Sequence, residues 1–339
     1  MFRNLIAGLL GVAGIALAAF PASAENVTLR FSSWLPANHW YVEGSILPYL
    51  KEIEEVTQGR VKVEMLPKMV GTPQTQFDVT RDGLADMSWF VAGYTPGRFR
   101  MAEMGELAFN GSGTKTGAAF NRVYNEHFAQ YKEFDGVELL SIYTSSPFNV
   151  ATKNREIHKI EDFKGLKLRS AAIGATEALN ILGAVPILKS STEAFEMLST
   201  GAIDGSLMFP ETVVSSNAID LMNTYTIIPD GFFSSVQGVI INAESWARIT
   251  PEDQAAIKAV SGEKFATRIG EAYERQNSLG YEGMKKANYK INELSAEETQ
   301  KLKDLLKPIE EQWIVKAKEK GAADPAAALN AFRTISLGQ

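Results

Sequence analysis

The feature that most constrains this chain is a rhythm. Short strand-like stretches recur between stretches with helical spacing from residue 27 to about residue 242, with no Pro/Ser linker or internal repeat to interrupt them. "VTLRFSSW" alternates as a first strand. "SILPYLKEIEEVTQGR" sets Ile46, Leu47, Leu50, Ile53 and Val56 near helical spacing and ends at Gly59. "VKVEMLP" alternates again, and "TPQTQFDVTRDGLADMSWF" reads as a helix ending near Gly83 and a strand from Asp86. This order requires parallel strands joined by crossover helices, hence an α/β fold.

The pattern continues through "HFAQYKEFDGVELLSIYTSS", "HKIEDFKGLKLRSA", "ATEALNILGAVPIL", "STEAFEMLSTGAIDGSLMF" and "SSVQGVIINAESWARI". A chain of 339 residues exceeds what one core usually serves, so two domains are expected. Without a linker, strands themselves must cross between two lobes and form a hinge. The expected crossings are Tyr143–Ser146 and Asp230–Val236. Lobe I then takes residues 25–145 and about 236–275, and lobe II residues 146–235 and about 276–310, with a helical tail at 311–339. Thr250-Pro251-Glu252 opens a helical tract to about Asn288 that spans both lobes. A Ser295…Glu298 capping box opens another, to about Lys320.

Residues 1–24 read as a leader, with Arg3 before the apolar "LIAGLLGVAGIALAAF" and the small residues Ala22 to Ala24 at the expected cut, after Ala24. No second apolar run of the roughly 20 residues needed for a membrane span follows. The expected location is therefore outside the cytoplasm, with the chain not itself membrane-embedded. The sequence contains no Cys, so disulfides, thiolate chemistry and an N-terminal lipid-modified Cys are excluded. The net charge is −6, and one unit more negative without Arg3, which argues against nucleic acid as a partner.

Local signs of catalysis are missing. His39, His127 and His158 have no ligand-like spacing, so no metal is expected. No GxSxG elbow occurs, and "GSGTKTG" at 111–117 departs from the Walker spacing and reads as a surface loop. Glu54-Glu55 and Glu310-Glu311 read as solvated helix faces. No enzyme activity and no cofactor are expected.

What remains is "GLKLRSAA", where Arg169 stands at the end of an alternating strand before three small residues. Around it, aromatic residues fall at expected strand ends: Trp34 and Trp40 with His39 in the first loop, Trp89 and Tyr94, Phe148, Phe209 and Phe232. Strand ends are where α/β folds bind ligands, and small-molecule pockets are apolar with a few placed polar groups. For any one of these aromatics, core packing is the competing explanation.

"DFKGLKLRSA" followed by "EAFEMLSTGAIDG", together with "TQGRVKVEMLP", "DGLADMSW" and "LSAEETQKL", resembles the substrate-binding proteins of tripartite ATP-independent periplasmic (TRAP) transporters across nearly the whole exported chain. The resemblance implies a two-lobed, Venus-flytrap periplasmic binding protein with hinge strands and a long lobe-spanning helix. It implies a monomer that closes over a small organic acid and delivers it to TRAP membrane permease subunits driven by an ion gradient. It also implies that Arg169 makes a two-pronged salt bridge to the ligand carboxylate. A guanidinium fork matches a carboxylate in a way lysine cannot.

Two departures shape the expected ligand. Where many members have a second arginine, this chain has Phe148 or Asn149. Where many have an asparagine after D-G, it has Met208, followed by Phe209. Two polar contacts become apolar, which points to one carboxylate on an apolar or aromatic body against Trp34, Trp40, Trp89 and Phe209. Gln74 and Asn149 are candidate second polar contacts. The alternatives are a C4-dicarboxylate or sugar-acid receptor of the same family, or a periplasmic enzyme or sensor on the same fold.

Overall fold

The computed structural model describes residues 26–111 and 113–338; the expected leader, residues 1–24, lies outside them. Within this span eleven strands form: β1 (Val27–Ser32), β2 (Val61–Met65), β3 (Met87–Val91), β4 (Val137–Thr144), β5 (Asn149–Thr152), β6 (Lys167–Ser170), β7 (Val185–Leu188), β8 (Gly205–Met208), β9 (Thr224–Ile227), β10 (Val236–Asn242) and β11 (Lys290–Glu293). They sort into two sheets, ordered β2-β1-β3-β10-β4 and β11-β9-β5-β8-β6-β7. β1 alternates buried and exposed residues over its first four positions, as a strand with one wet face should. β3 and β10 are buried throughout, because they sit inside the first sheet with structure on both faces.

Each sheet contains one strand set against its neighbours. β10 runs antiparallel to β3 and β4, and β5 runs antiparallel to β8 and β9. Each is reached by an extended crossing from the other sheet. The chain leaves the first sheet at Thr144 and enters the second at Asn149; it leaves β9 at Ile227 and returns at Val236. The crossings lie side by side. Ser145 N–H donates to the Ser235 carbonyl at 2.9 Å and Phe148 N–H to the Phe233 carbonyl at 2.6 Å, while Ser235 N–H donates to Ser145 Oγ at 2.9 Å. The two lobes are thus joined by paired extended segments.

Eleven α-helices cover the sheets: α1 (Leu47–Val56), α2 (Gln76–Arg81), α3 (Thr114–His127), α4 (Ile173–Ile181), α5 (Ser191–Ser199), α6 (Pro210–Ser215), α7 (Ala243–Ala247), α8 (Pro251–Val260), α9 (Gly262–Lys286), α10 (Ala296–Glu319) and α11 (Pro325–Leu337). α9 spans the lobes. Phe265, Ala266 and Ile269 pack into the core of the first, and Met284 near its other end packs into the core of the second. None of the described helices is long and apolar enough to cross a membrane.

Some expected boundaries differ. The tract from Thr250 is two helices, because Ser261 is extended and Gly262 adopts a positive φ. The Ser261 hydroxyl lies 2.6 Å from the Tyr49 hydroxyl, which anchors the break. Within 111–117, read as a surface loop, α3 begins at Thr114, and Gly117 is buried. The divisions placed at 275/276 and 310/311 fall inside α9 and α10. At Ser295 the hydroxyl accepts the Glu298 N–H at 3.2 Å, but the Glu298 carboxylate turns to the Ile160 N–H instead of closing the box.

Candidate ligand-binding site

Between the lobes lies a cavity of about 340 Å³. It sits at the carboxyl ends of β1, β3, β6 and β8, where the loops leaving parallel strands converge. The loop after β1 brings Trp34, His39, Trp40 and Tyr41; β3 and the turn after it bring Trp89 and Tyr94; the first crossing brings Phe148. β6 brings Arg169, the start of α5 Ser191 and Thr192, the segment after β8 Phe209 and Glu211, and the middle of α9 Tyr273.

Arg169 lies on β6 between Ile187 of β7 and Ser206 of β8. Lys167, two residues earlier on the same face, is exposed, whereas Arg169 is 2% exposed. Its Nε donates to the Lys189 carbonyl at 2.8 Å and Nη1 to the Leu207 carbonyl at 3.3 Å. Nη2 is buried and has no hydrogen-bond partner among the described residues. Burial pushes the guanidinium pKa down, against the pull of the Tyr94 hydroxyl and the Glu193 carboxylate. The Tyr94 hydroxyl itself accepts the Ser191 N–H at 3.1 Å, a bond from one lobe to the other. A second buried donor without a partner, Nε1, belongs to Trp34 of the cavity wall.

The walls are aromatic. Trp34 stacks on Trp89 with centroids 4.5 Å apart, Tyr41 leans on Trp89 at 4.7 Å, and Phe209 meets Tyr273 edge-on at 5.3 Å. Phe148 and Phe209 stack at 4.7 Å with planes 10° apart. Behind them, Tyr41 bonds to the hydroxyl of Tyr143 and donates to Gln237 at 3.1 Å, and Gln237 donates to the Tyr273 hydroxyl at 3.0 Å. This network holds the rings from the rear. His39 Nδ1 accepts the Tyr41 N–H at 3.2 Å, and burial pulls its pKa down to about 4. The ring is therefore neutral, with its proton on Nε2.

Seven of the eleven side chains singled out from sequence line the cavity: Trp34, His39, Trp40, Trp89, Phe148, Arg169 and Phe209. Four do not. Asn149 and Met208 are directly paired across β5 and β8; their side chains share the sheet face opposite the stacked Phe148 and Phe209. Asn149 Oδ1 accepts the Ile228 N–H at 2.9 Å, and Met208 is core of the second lobe. Phe232 is packed in the interior against Phe233 and Phe163. Gln74 lies outside the cavity and donates to Glu193 Oε2 at 3.3 Å. Tyr41, Glu211, Gln237 and Tyr273 were not anticipated. Glu211 directly follows Phe209-Pro210, a position that could have drawn attention; Tyr273 sits in a helix whose pattern gives no such sign.

Two lobes hinged by paired strands around a largely apolar cleft with a buried cation define a solute receptor of the periplasmic binding class. The chain belongs to bacterial extracellular solute-binding protein family 7, the DctP family of TRAP solute-binding proteins, whose pattern matches residues 31–316. A TRAP periplasmic solute-binding protein from Bordetella bronchiseptica, solved with bound (R)- and (S)-mandelate, is similar at 32% identity and a TM-score of 0.88, covering 92% of this chain and 99% of that one. A marine metagenome TRAP solute-binding protein specific for aromatic acid ligands, solved with 3-hydroxybenzoate, has 25% identity and a TM-score of 0.85 over 93% of this chain and 99% of its own. The "Outer membrane transporter protein TsaT" of Comamonas testosteroni is 23% identical over 94% of each chain.

Proposed function

We propose that this protein is an extracytoplasmic receptor for an organic monocarboxylate with an apolar or aromatic body, which it delivers to an ion-gradient-driven TRAP permease. The observation that carries the reading is the buried Arg169 guanidinium, with Nη2 unpaired, in an aromatic-walled cavity. A buried charge without a partner is costly, and a ligand carboxylate supplies that partner. We read Trp34 Nε1, unpaired on a ring 6.0 Å from that of Tyr94, as a second donor to the ligand. The aromatic walls suit a ring, since edge and offset contacts contribute roughly 0.5–1.5 kcal/mol beyond burial. The aromatic and hydroxy acids bound by the two similar structures favour the same ligand class.

The test is a thermal-shift and calorimetry screen of the exported chain against aromatic, aliphatic, keto, sugar and dicarboxylic acids. A ligand that binds only the folded state at 100 times its Kd stabilises it by about 2.7 kcal/mol. Shifts with benzoate-like or other apolar monocarboxylates support the reading. A preference for dicarboxylates or sugar acids overturns the ligand class while leaving the receptor.

A further inference from the structure

The cavity has a second pole. Glu211, in the first turn of α6, lines the same enclosure as Arg169 and is 6% exposed, yet the two form no ion pair. Its position is fixed from outside by α9. A Cβ on Gly280 would lie 2.3 Å from the Pro210 carbonyl, so α9 packs against this backbone as only glycine permits. Its carboxyl is fixed by donors: Trp40 Nε1–H at 2.7 Å and Ser215 Oγ–H at 2.8 Å to Oε2, and Thr212 Oγ–H at 2.7 Å to Oε1. A carboxylate offers about four lone-pair sites, so Oε1 retains acceptor capacity.

We propose that Glu211 determines specificity: its Oε1 bonds a hydroxyl on the body of the ligand, so the site takes a hydroxylated apolar or aromatic monocarboxylate and rejects a second carboxylate. The inference rests on the reading of Arg169 as the carboxylate anchor. A hydroxyl suits this pole better than an ammonium, because moving a neutral group into an apolar enclosure costs far less than moving a charge. Burial raises the Glu211 pKa against the three donors. A hydroxyl matches either state of the carboxyl, since it donates as readily as it accepts. A second carboxylate has no proton to give, and it meets a like charge when the Glu211 carboxyl is ionised, the state that the three donors favour.

Calorimetry on the exported chain tests this with benzoate, phenylacetate, their 3- and 4-hydroxy derivatives, isophthalate and terephthalate. In the wild type the better hydroxy isomer binds about tenfold or more tightly than its parent acid, as expected for a hydrogen bond to a buried charged group, and the dicarboxylates do not bind. In Glu211→Leu the hydroxyl advantage collapses while the parent acid still binds, which also shows that the variant is folded. Glu211→Gln, which retains hydrogen-bonding atoms without the charge, admits the dicarboxylates; this arm stands if the leucine variant fails to fold. Parent acids that bind with no hydroxyl advantage in the wild type, or an advantage that survives in Glu211→Leu, overturn the role of Glu211 alone. Failure of every one of these acids to bind overturns the anchor reading and this inference with it.

Discussion

Gly93 and Ala171 meet across the mouth of the site, so closely that a Cβ on Gly93 would lie 2.4 Å from the Ala171 carbonyl oxygen. Gly93 belongs to the turn after β3 in the first lobe, and Ala171 stands two residues beyond Arg169 in the second. The absence of a side chain at Gly93 is what allows the lobes to close over the guanidinium.

Gly93→Ala should therefore hinder closure. The added methyl also meets Glu106 Oε1 at 2.9 Å, whose bond to the Val236 N–H resists a shift, and the Ala171 backbone cannot give way while the lobes are closed. Overpacking of this kind costs about 1–3 kcal/mol, which predicts roughly 5- to 150-fold weaker ligand binding. Small-angle scattering should find the ligand-saturated variant more open than wild type. Equal affinity and equal compaction would remove Gly93 from the closing mechanism.

Arg169→Ala should weaken binding by about 30-fold to several-thousand-fold, the usual cost of stripping one partner from a buried charged pair. Arg169→Lys should recover only part of this loss. Lysine restores the charge but cannot hold the Lys189 and Leu207 carbonyls while offering a flat fork to a carboxylate. Calorimetry of both variants, with melting temperatures as the folding control, checks the order wild type, Lys, Ala. Affinity unchanged in Arg169→Ala would dismiss the anchor.

What the sequence misled about lies at the ends of β5 and β8. Alternation made β1, β2 and β6 legible, and three small residues after Arg169 marked a close approach. The segments at Phe148-Asn149 and Met208-Phe209 were read as positions in a family pattern, without regard to which face each residue takes. Successive strand residues point to opposite faces. Phe148 and Phe209 therefore share one face and line the cavity, and Asn149 and Met208, paired across the ladder, take the other, where Asn149 accepts the Ile228 N–H and Met208 packs into the second lobe's core. Glu211 and Tyr273 escaped notice for another reason. Their roles depend on how α6 packs against α9, a tertiary relation that no local pattern encodes.

Stability should fall as pH rises from 6.5 to 8. Glu106 lies buried behind Gly93 with Oε1 accepting the Val236 N–H at 3.2 Å, and burial pushes its pKa up from 4.5 to about 8. Across that window the folded chain keeps a proton that the unfolded chain has released, so this contribution to stability is lost progressively with rising pH. Glu133, pushed up to about 7, acts in the same direction up to that point. His39, lowered from 6.5 to about 4, acts oppositely, but only between those two values. Above pH 6.5 the contribution of His39 no longer opposes the decline, which is at most about 1.4 kcal/mol per pH unit for each group. Urea unfolding at half-unit steps checks it: Glu106→Gln, which keeps an acceptor for Val236, should flatten the slope. Identical slopes in the two proteins would exclude Glu106 as its source.

Trp34→Phe separates binding from packing, because the two readouts should move in opposite directions. The phenyl ring keeps an aromatic face against Trp89, 4.5 Å away in the native stack, but removes an Nε1–H that is buried without a partner. A lone buried donor costs about 1–3 kcal/mol, so deleting it should offset part of the lost ring area and leave the ligand-free melting temperature level or higher. If that donor bonds the ligand, affinity should drop by about 5- to 10-fold, the value of one hydrogen bond of roughly 1–1.4 kcal/mol. Trp40→Phe provides the contrast. It removes a donor already engaged by Glu211 at 2.7 Å between the lobes, and so should lower both the stability of the closed form and the affinity. A loss of affinity in Trp34→Phe with unchanged or increased ligand-free stability would assign Trp34 to the carboxylate end of the site; a loss of stability without a change in affinity would make it a wall residue only.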